Sequence, residues 1–116
     1  MQNLEQIRAA HALEPAKKLD RKAVNRLPAM ILANGLLAAA AFCDADGGGP
    51  NRKDMKLALD ATAIHLANRG LIAAGKNTTR GIIEDLSGRD SNHLHRATSE
   101  ALAFIAYLKR FAPKKD

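Results

Sequence analysis

The side chains in this chain that are suited to chemistry are mostly cations. Lys18, Lys22 and Arg26 recur at steps of four, with Lys17 and Arg21 beside them, and Arg96, Lys109 and Arg110 stand near the other end. Arg96 and Arg110 are separated by about four helical turns, which puts them on one side of a helix. Rows of Lys and Arg with no nucleophile or base among them bind anions rather than transform them, and the polymeric anion they suit is a phosphate backbone. Aromatic residues make up only 3% of the chain, and Phe42, Phe104, Tyr107 and Phe111 fall mostly on apolar faces. Base stacking on aromatic platforms is therefore not expected, and any nucleic-acid contact should be to the backbone and little dependent on sequence.

Other combinations carry less. Gly70-Leu-Ile-Ala-Ala-Gly75-Lys76 matches the first seven positions of a phosphate-binding loop, but Asn77 takes the place of the hydroxyl that would meet magnesium. That loop should follow a buried strand, and here a helix precedes it, so a helix-end turn is the expected structure. Of the four histidines, His11, His65, His93 and His95, the last two are two residues apart and do not face each other on a helix, and no cysteine or carboxylate completes a set, so no metal site and no cofactor is expected. Glu84 and Asp85 read as the solvated face of a short helix. Cys43 has no histidine at a motif spacing and reads as a small buried apolar group.

The net charge of +6 is unevenly placed: residues 8–26 carry six Lys/Arg against two acids, residues 89–116 six against three, and residues 27–88 six against six. If the two ends of the chain pack together, they form one positive face. A length of 116 residues with 47% hydrophobic content is one domain with a real core that needs neither metal nor disulfide. The single Cys43 fits a reducing cytoplasm. No leader or membrane segment is expected, because the longest apolar run is shorter than the roughly 20 residues a bilayer requires.

That run, Leu27 to Phe42, reads as the central helix. Val24, Leu27, Ile31, Asn34, Ala38 and Phe42 lie on one face, other apolar residues fill the rest, and Gly35 with the alanines should let neighbours approach closely. Asn34 should then be buried with a hydrogen-bond partner. Pro28 either kinks this helix or restarts it behind Asn25. The first helix should run from an Asn3 cap to Leu19 with a kink at Pro15. Residues 44–51, with Gly47, Gly48, Gly49 and Pro50, read as a flexible loop. A third helix carries Met55, Leu59, Thr62 or Ala63, and Leu66, and stops at Gly70. A short helix holds Thr79, Ile82, Ile83 and Leu86, and the last runs from an Asp90 or Ser91 cap through Leu94, Ala97, Ala101, Ile105 and Leu108 to a solvated tail, 113–116. Strand-like alternation is absent, so the expected fold is an all-α bundle of about five helices in a single domain, 1–116.

The segments Asn3-Leu-Glu-Gln-Ile-Arg-Ala, Ala12-Leu-Glu, Leu27-Pro-Ala-Met-Ile, Asn34-Gly-Leu, Ala41-Phe42, Arg96-Ala-Thr, Glu100-Ala-Leu-Ala-Phe and Leu108-Lys-Arg-Phe-Ala resemble the small helical subunit of type III-B (Cmr) CRISPR effector complexes. The resemblance covers nearly the whole chain and is most specific over Pro28 to Phe42. Pro15 and the Gly47–Pro50 loop depart from it.

The resemblance implies a non-catalytic protein in antiviral defence. Its copies stack in the inner filament of an RNA-guided complex, beside the backbone and other subunits, and contact guide RNA and target RNA. Base pairing, not the protein, reads sequence in such systems. Charge and helical phase assign the RNA contact to Lys17, Lys18, Arg21, Lys22, Arg26, Arg96, Lys109 and Arg110. The alternatives are a protein scaffold module without RNA contact and, remotely, a nucleotide-binding enzyme. Head-to-tail stacking need not close into a ring. With interfaces below roughly 1,200 Å², the isolated chain should be a monomer or weak dimer. The 44–51 loop and the last helix, with Arg110, Phe104 and Phe111, are the expected mating surfaces.

Overall fold

Capping side chains fix where most helices start. Asn3 accepts from the Gln6 N–H while the Gln6 side chain returns a bond to the Asn3 N–H, a capping box that opens α1 (Leu4–Ala16). Asp20 caps α2 (Arg21–Val24) through the Lys22 N–H. Without side-chain caps follow α3 (Arg26–Asn34), α4 (Leu36–Asp44) and α5 (Gly49–Asn68). After a short 3-10 turn at Ala74–Lys76, Thr78 caps α6 (Thr79–Leu86) and Asp90 caps α7 (Ser91–Phe111). A computed structural model describes residues 1–45 and 48–115, and among these the chain is all-helical. The expected flexibility of the loop around Gly47 lies outside the described residues, as does the tail position Asp116. Residues 48–51, read as loop, belong instead to α5 and its cap.

The expected central helix over Leu27–Phe42 is not one helix. Gly35 adopts φ 93°, ψ 160°, a conformation almost closed to other residues, and separates α3 from α4. Its N–H closes α3 on the Ile31 carbonyl, and its own carbonyl opens the ladder of α4 by accepting from Ala39. A Cβ at this glycine would meet nothing within 4 Å, so its role is conformational and not close packing. The turn also changes which side is buried: Leu27, Ile31, Leu36, Ala39, Ala40 and Cys43 face inward, while Asn34 and Ala38 are exposed, Leu32 is 75% exposed and Phe42 44%. Asn34 therefore needs no buried partner. Pro28, which has no N–H for the Val24 carbonyl, falls in the first turn of α3, and Asn25 between α2 and α3 keeps helical angles without donating a side-chain cap. In α1, Pro15 sits in the last turn, so the helix ends at Ala16 rather than kinking on to Leu19.

The element at the centre is α5, which packs against α1, α2, α4, α6, α7 and the 3-10 turn. Its small residues Ala58, Ala61 and Ala63 admit neighbours, and Met55, Leu59 and Leu66 fill the spaces between them. Two buried polar residues interrupt its apolar pattern, and both are satisfied. The Thr62 hydroxyl donates to the Ala58 carbonyl at 2.8 Å. His65 belongs to a four-residue chain joining α1, α5 and α7: Arg8 donates to both Glu100 oxygens at 2.8 and 2.7 Å, His65 Nε2 donates to Glu100 Oε2 at 2.8 Å, and His65 Nδ1 meets His11 Nδ1 at 2.8 Å. Because the carboxylate only accepts, Nε2 of His65 carries the hydrogen, and His11 donates from Nδ1. The His65 ring also stacks on Phe104, centroids 4.4 Å apart.

Candidate nucleic-acid interface

The two basic ends of the chain do pack together, and backbone hydrogen bonds do the joining. The Arg21 N–H donates to the Pro113 carbonyl at 3.0 Å. The Arg21 guanidinium donates to the carbonyls of Ala112 at 2.9 Å and Arg110 at 3.2 Å. These carbonyls lie at the end of α7, where no further helical turn supplies donors, so Arg21 acts as a side-chain cap for that helix. On the other side of the junction Lys115 Nζ donates to the Lys18 carbonyl at 3.0 Å. Asp54 of α5 accepts from the Asp20 N–H at 2.8 Å and fixes the entry to α2.

This docking brings seven of the eight expected cations to the end of the molecule made by the α1–α2 turn and the C-terminal end of α7. Lys18, Lys22, Arg26, Lys109 and Arg110 are exposed there, and among the described residues none has a carboxylate within ion-pair distance. Lys17 pairs with Glu14 at 2.9 Å, an exposed contact of little strength. Arg21 is half-buried and committed to carbonyls. Arg96 is the outlier: it lies about 21 Å along α7 from Arg110 by helical rise, and its guanidinium meets His93 Nδ1 at 3.1 Å.

Two cations that the sequence assigns to a solvated tail belong to this place. Lys114 and Lys115 line a groove of about 300 Å³ together with Asp20, Arg21, Lys22 and Asn25. The only local signal for them was their position after Pro113, which ends the helix, and their docking depends on Arg21, some ninety residues earlier. The Arg8–Glu100–His65–His11 chain was missed for the same reason.

The other chemically suggestive residues are structural. Gly70–Lys76 follows α5 and ends in the 3-10 turn, with Lys76 bonded to Glu84 at 3.1 Å. Asp85, read as solvated, instead accepts from the Ala73 N–H and from Arg89, both at 2.8 Å, and ties the turn to α6. Burial pushes the Cys43 thiol up to about 11, so it stays a protonated, apolar group at neutral pH. His93 Nε2 donates to the Leu71 carbonyl at 2.6 Å. Among the described residues no group of three His, Cys, Asp or Glu is placed to hold a metal, and no helix is long and apolar enough to cross a membrane.

Neither a curated protein nor a solved structure matches the chain. The family model described as CRISPR-associated protein (Cas_Cmr5) does match, over residues 4–114, a span that includes every helix described above and both basic ends up to Lys114. The chain belongs to the Cas_Cmr5 family, a CRISPR-associated family of Cmr-complex subunits.

Proposed function

We propose that this chain is a non-catalytic small subunit that stacks in the inner filament of a type III-B Cmr complex, in the cytoplasm, and holds the backbone of guide and target RNA in antiviral defence. One observation carries the RNA part: where Arg21 and Lys115 join the two chain ends, Lys18, Lys22, Arg26, Lys109, Arg110 and Lys114 are exposed and lack carboxylate partners among the described residues. Surface charges of one sign gathered without internal pairing raise the potential that attracts a polyanion. Backbone contact suits the site better than base reading, because Phe104 is buried, Tyr107 half-buried, and Phe42 and Phe111 only partly exposed.

The stacking part needs revision at one residue. Phe104 is fully buried, so the mating edge expected on α7 retains only Arg110 and Phe111, the latter 37% exposed. A second apolar surface supports protein contact: a groove of about 370 Å³ lined by Pro15, Leu19, Leu57, Ala61 and Ile64, with Glu14, Lys18 and Asp60 around it.

Replacing Lys18, Lys22 and Arg26 together by Glu tests the reading. RNA affinity should fall by more than tenfold while the melting temperature holds, and an unchanged affinity would leave the scaffold reading. Analytical ultracentrifugation should show a monomer or weak dimer; a closed oligomer that survives dilution would contradict open stacking.

A further inference from the structure

Resting on that RNA reading, we infer that the groove between α2 and the C-terminal tail is a built phosphate site. In it Lys22, Lys114 and Lys115 contact the RNA backbone, and Arg21 is a positioning residue that holds the tail in place.

The tail after Pro113 has no secondary structure of its own, yet it is held at both ends. Arg21 holds its root, through bonds to the carbonyls of Arg110 and Ala112 at the end of α7 and of Pro113 itself, and the Lys115 side chain bonds the Lys18 carbonyl beyond it. An ammonium has three donors, so Lys115 keeps two for a ligand after this bond. Lys22 and Lys114 have no carboxylate partner among the described residues. Asp20, the one acid in the lining, accepts from the Lys22 N–H and keeps its charge, but Arg21, Lys22, Lys114 and Lys115 outnumber it and leave the groove net positive. Asn25 adds a neutral amide that can donate to a phosphate oxygen or pair with a ribose hydroxyl.

Fixing like charges around a concavity opposes folding unless something is gained. An anion in the groove supplies that gain, and a tail ordered in advance removes the entropy that a disordered one would lose on binding. Arg suits the positioning task better than Lys because its fork reaches two carbonyls at once.

The test measures the affinity of the intact chain for a single-stranded RNA and a guide–target RNA duplex by fluorescence anisotropy across salt concentrations. It compares wild type, Lys114→Ala/Lys115→Ala, Arg21→Lys and the combined variant, each with a melting curve. Lys114→Ala/Lys115→Ala should weaken binding about three- to tenfold at moderate salt and flatten the slope of log K against log salt for single-stranded RNA by roughly 1.4. Arg21→Lys keeps the charge but loses the fork, and it should weaken binding and flatten the slope in the same direction. It should have little further effect when the tail lysines are gone. Wild-type binding by the tail variant, with loss in the Lys18/Lys22/Arg26→Glu variant, would overturn the tail site and leave the wider RNA reading standing. No loss in any variant would overturn both. Additive effects of Arg21→Lys and the tail substitutions would overturn the positioning role.

Discussion

Charged groups join the first helical segments to α7 in two places, and they use the charge in opposite ways. At the middle of α7, Arg8, Glu100, His65 and His11 form a closed chain in which the cation has its anion and His65 is buried. At its end, Arg21 binds backbone carbonyls and shares a groove with Lys22, Lys114 and Lys115, while Lys18, Lys109 and Arg110 are exposed on the joined segments. Among the described residues none of these lysines and arginines has a carboxylate partner. A charge satisfied inside the fold holds the fold together. A charge left unsatisfied at the surface is available to a ligand, and its removal should leave the fold nearly unchanged. The two regions should therefore separate stability from RNA binding.

The largest expected effect is on stability. Glu100→Ala strips Arg8 and His65 of their acceptor at once and should cost about 3 kcal/mol, read from denaturant unfolding, because it leaves a partly buried charge and a buried ring N–H unpaired. RNA affinity at a temperature where the variant is folded should not change. A loss of RNA affinity there would merge the two regions into one.

Acid should attack the same network. Burial lowers the His65 pKa, outweighing the hydrogen bond to Glu100 that raises it. For Glu100 burial pushes upward, but the hydrogen bonds and charges of Arg8 and His65 together bring it below the usual carboxylate range. Both signs lead to acid destabilisation. His65 stays neutral in the fold while the unfolded histidine takes a proton below about pH 6.5, and Glu100 stays ionised while the unfolded glutamate takes one below about 4.3. Stability should be full above about pH 6.5 and fall in two stages, the second completed as pH drops through the depressed Glu100 value. A melting-temperature series from pH 8 to 2 checks this, and Glu100→Gln should shrink the second stage, leaving the part contributed by Asp85. There too burial pushes upward, but Arg89 and the Ala73 N–H hold the carboxyl below its usual range.

Gly35→Ala should cost about 1–3 kcal/mol, entirely from the backbone conformation, since the added methyl meets nothing. At the basic end, Lys22→Ala and Lys109→Ala should each change stability by less than about 0.5 kcal/mol. A larger cost would mean that these lysines hold the fold.

What was legible in the sequence follows the range of each interaction. Asn3, Asp20, Thr78 and Asp90 cap helices with bonds two or three residues long; Asn3, Asp20 and the choice between Asp90 and Ser91 are legible from spacing alone, while the Thr78 cap is not among the expectations. Gly35 was misread because a glycine within an apolar run looks the same whether it makes room or reverses the backbone. The central role went to the most apolar segment rather than to α5, because Thr62 and His65 look unfit for a core until their partners are seen. The basic end was half readable: charge segregation pointed to Lys18, Lys22, Arg26, Lys109 and Arg110, while the placement of Lys114 and Lys115, the capping by Arg21 and the remoteness of Arg96 depend on contacts across the whole chain.

The claim at the centre of this account is that the unpaired cations hold RNA through its backbone. The most direct measurement is the salt dependence of affinity for several single-stranded RNAs of equal length and unrelated sequence. About four or five phosphate contacts should give a slope of log K against log salt of roughly −3, the same for every sequence. A flat salt dependence, or affinities that differ tenfold between sequences, would contradict it.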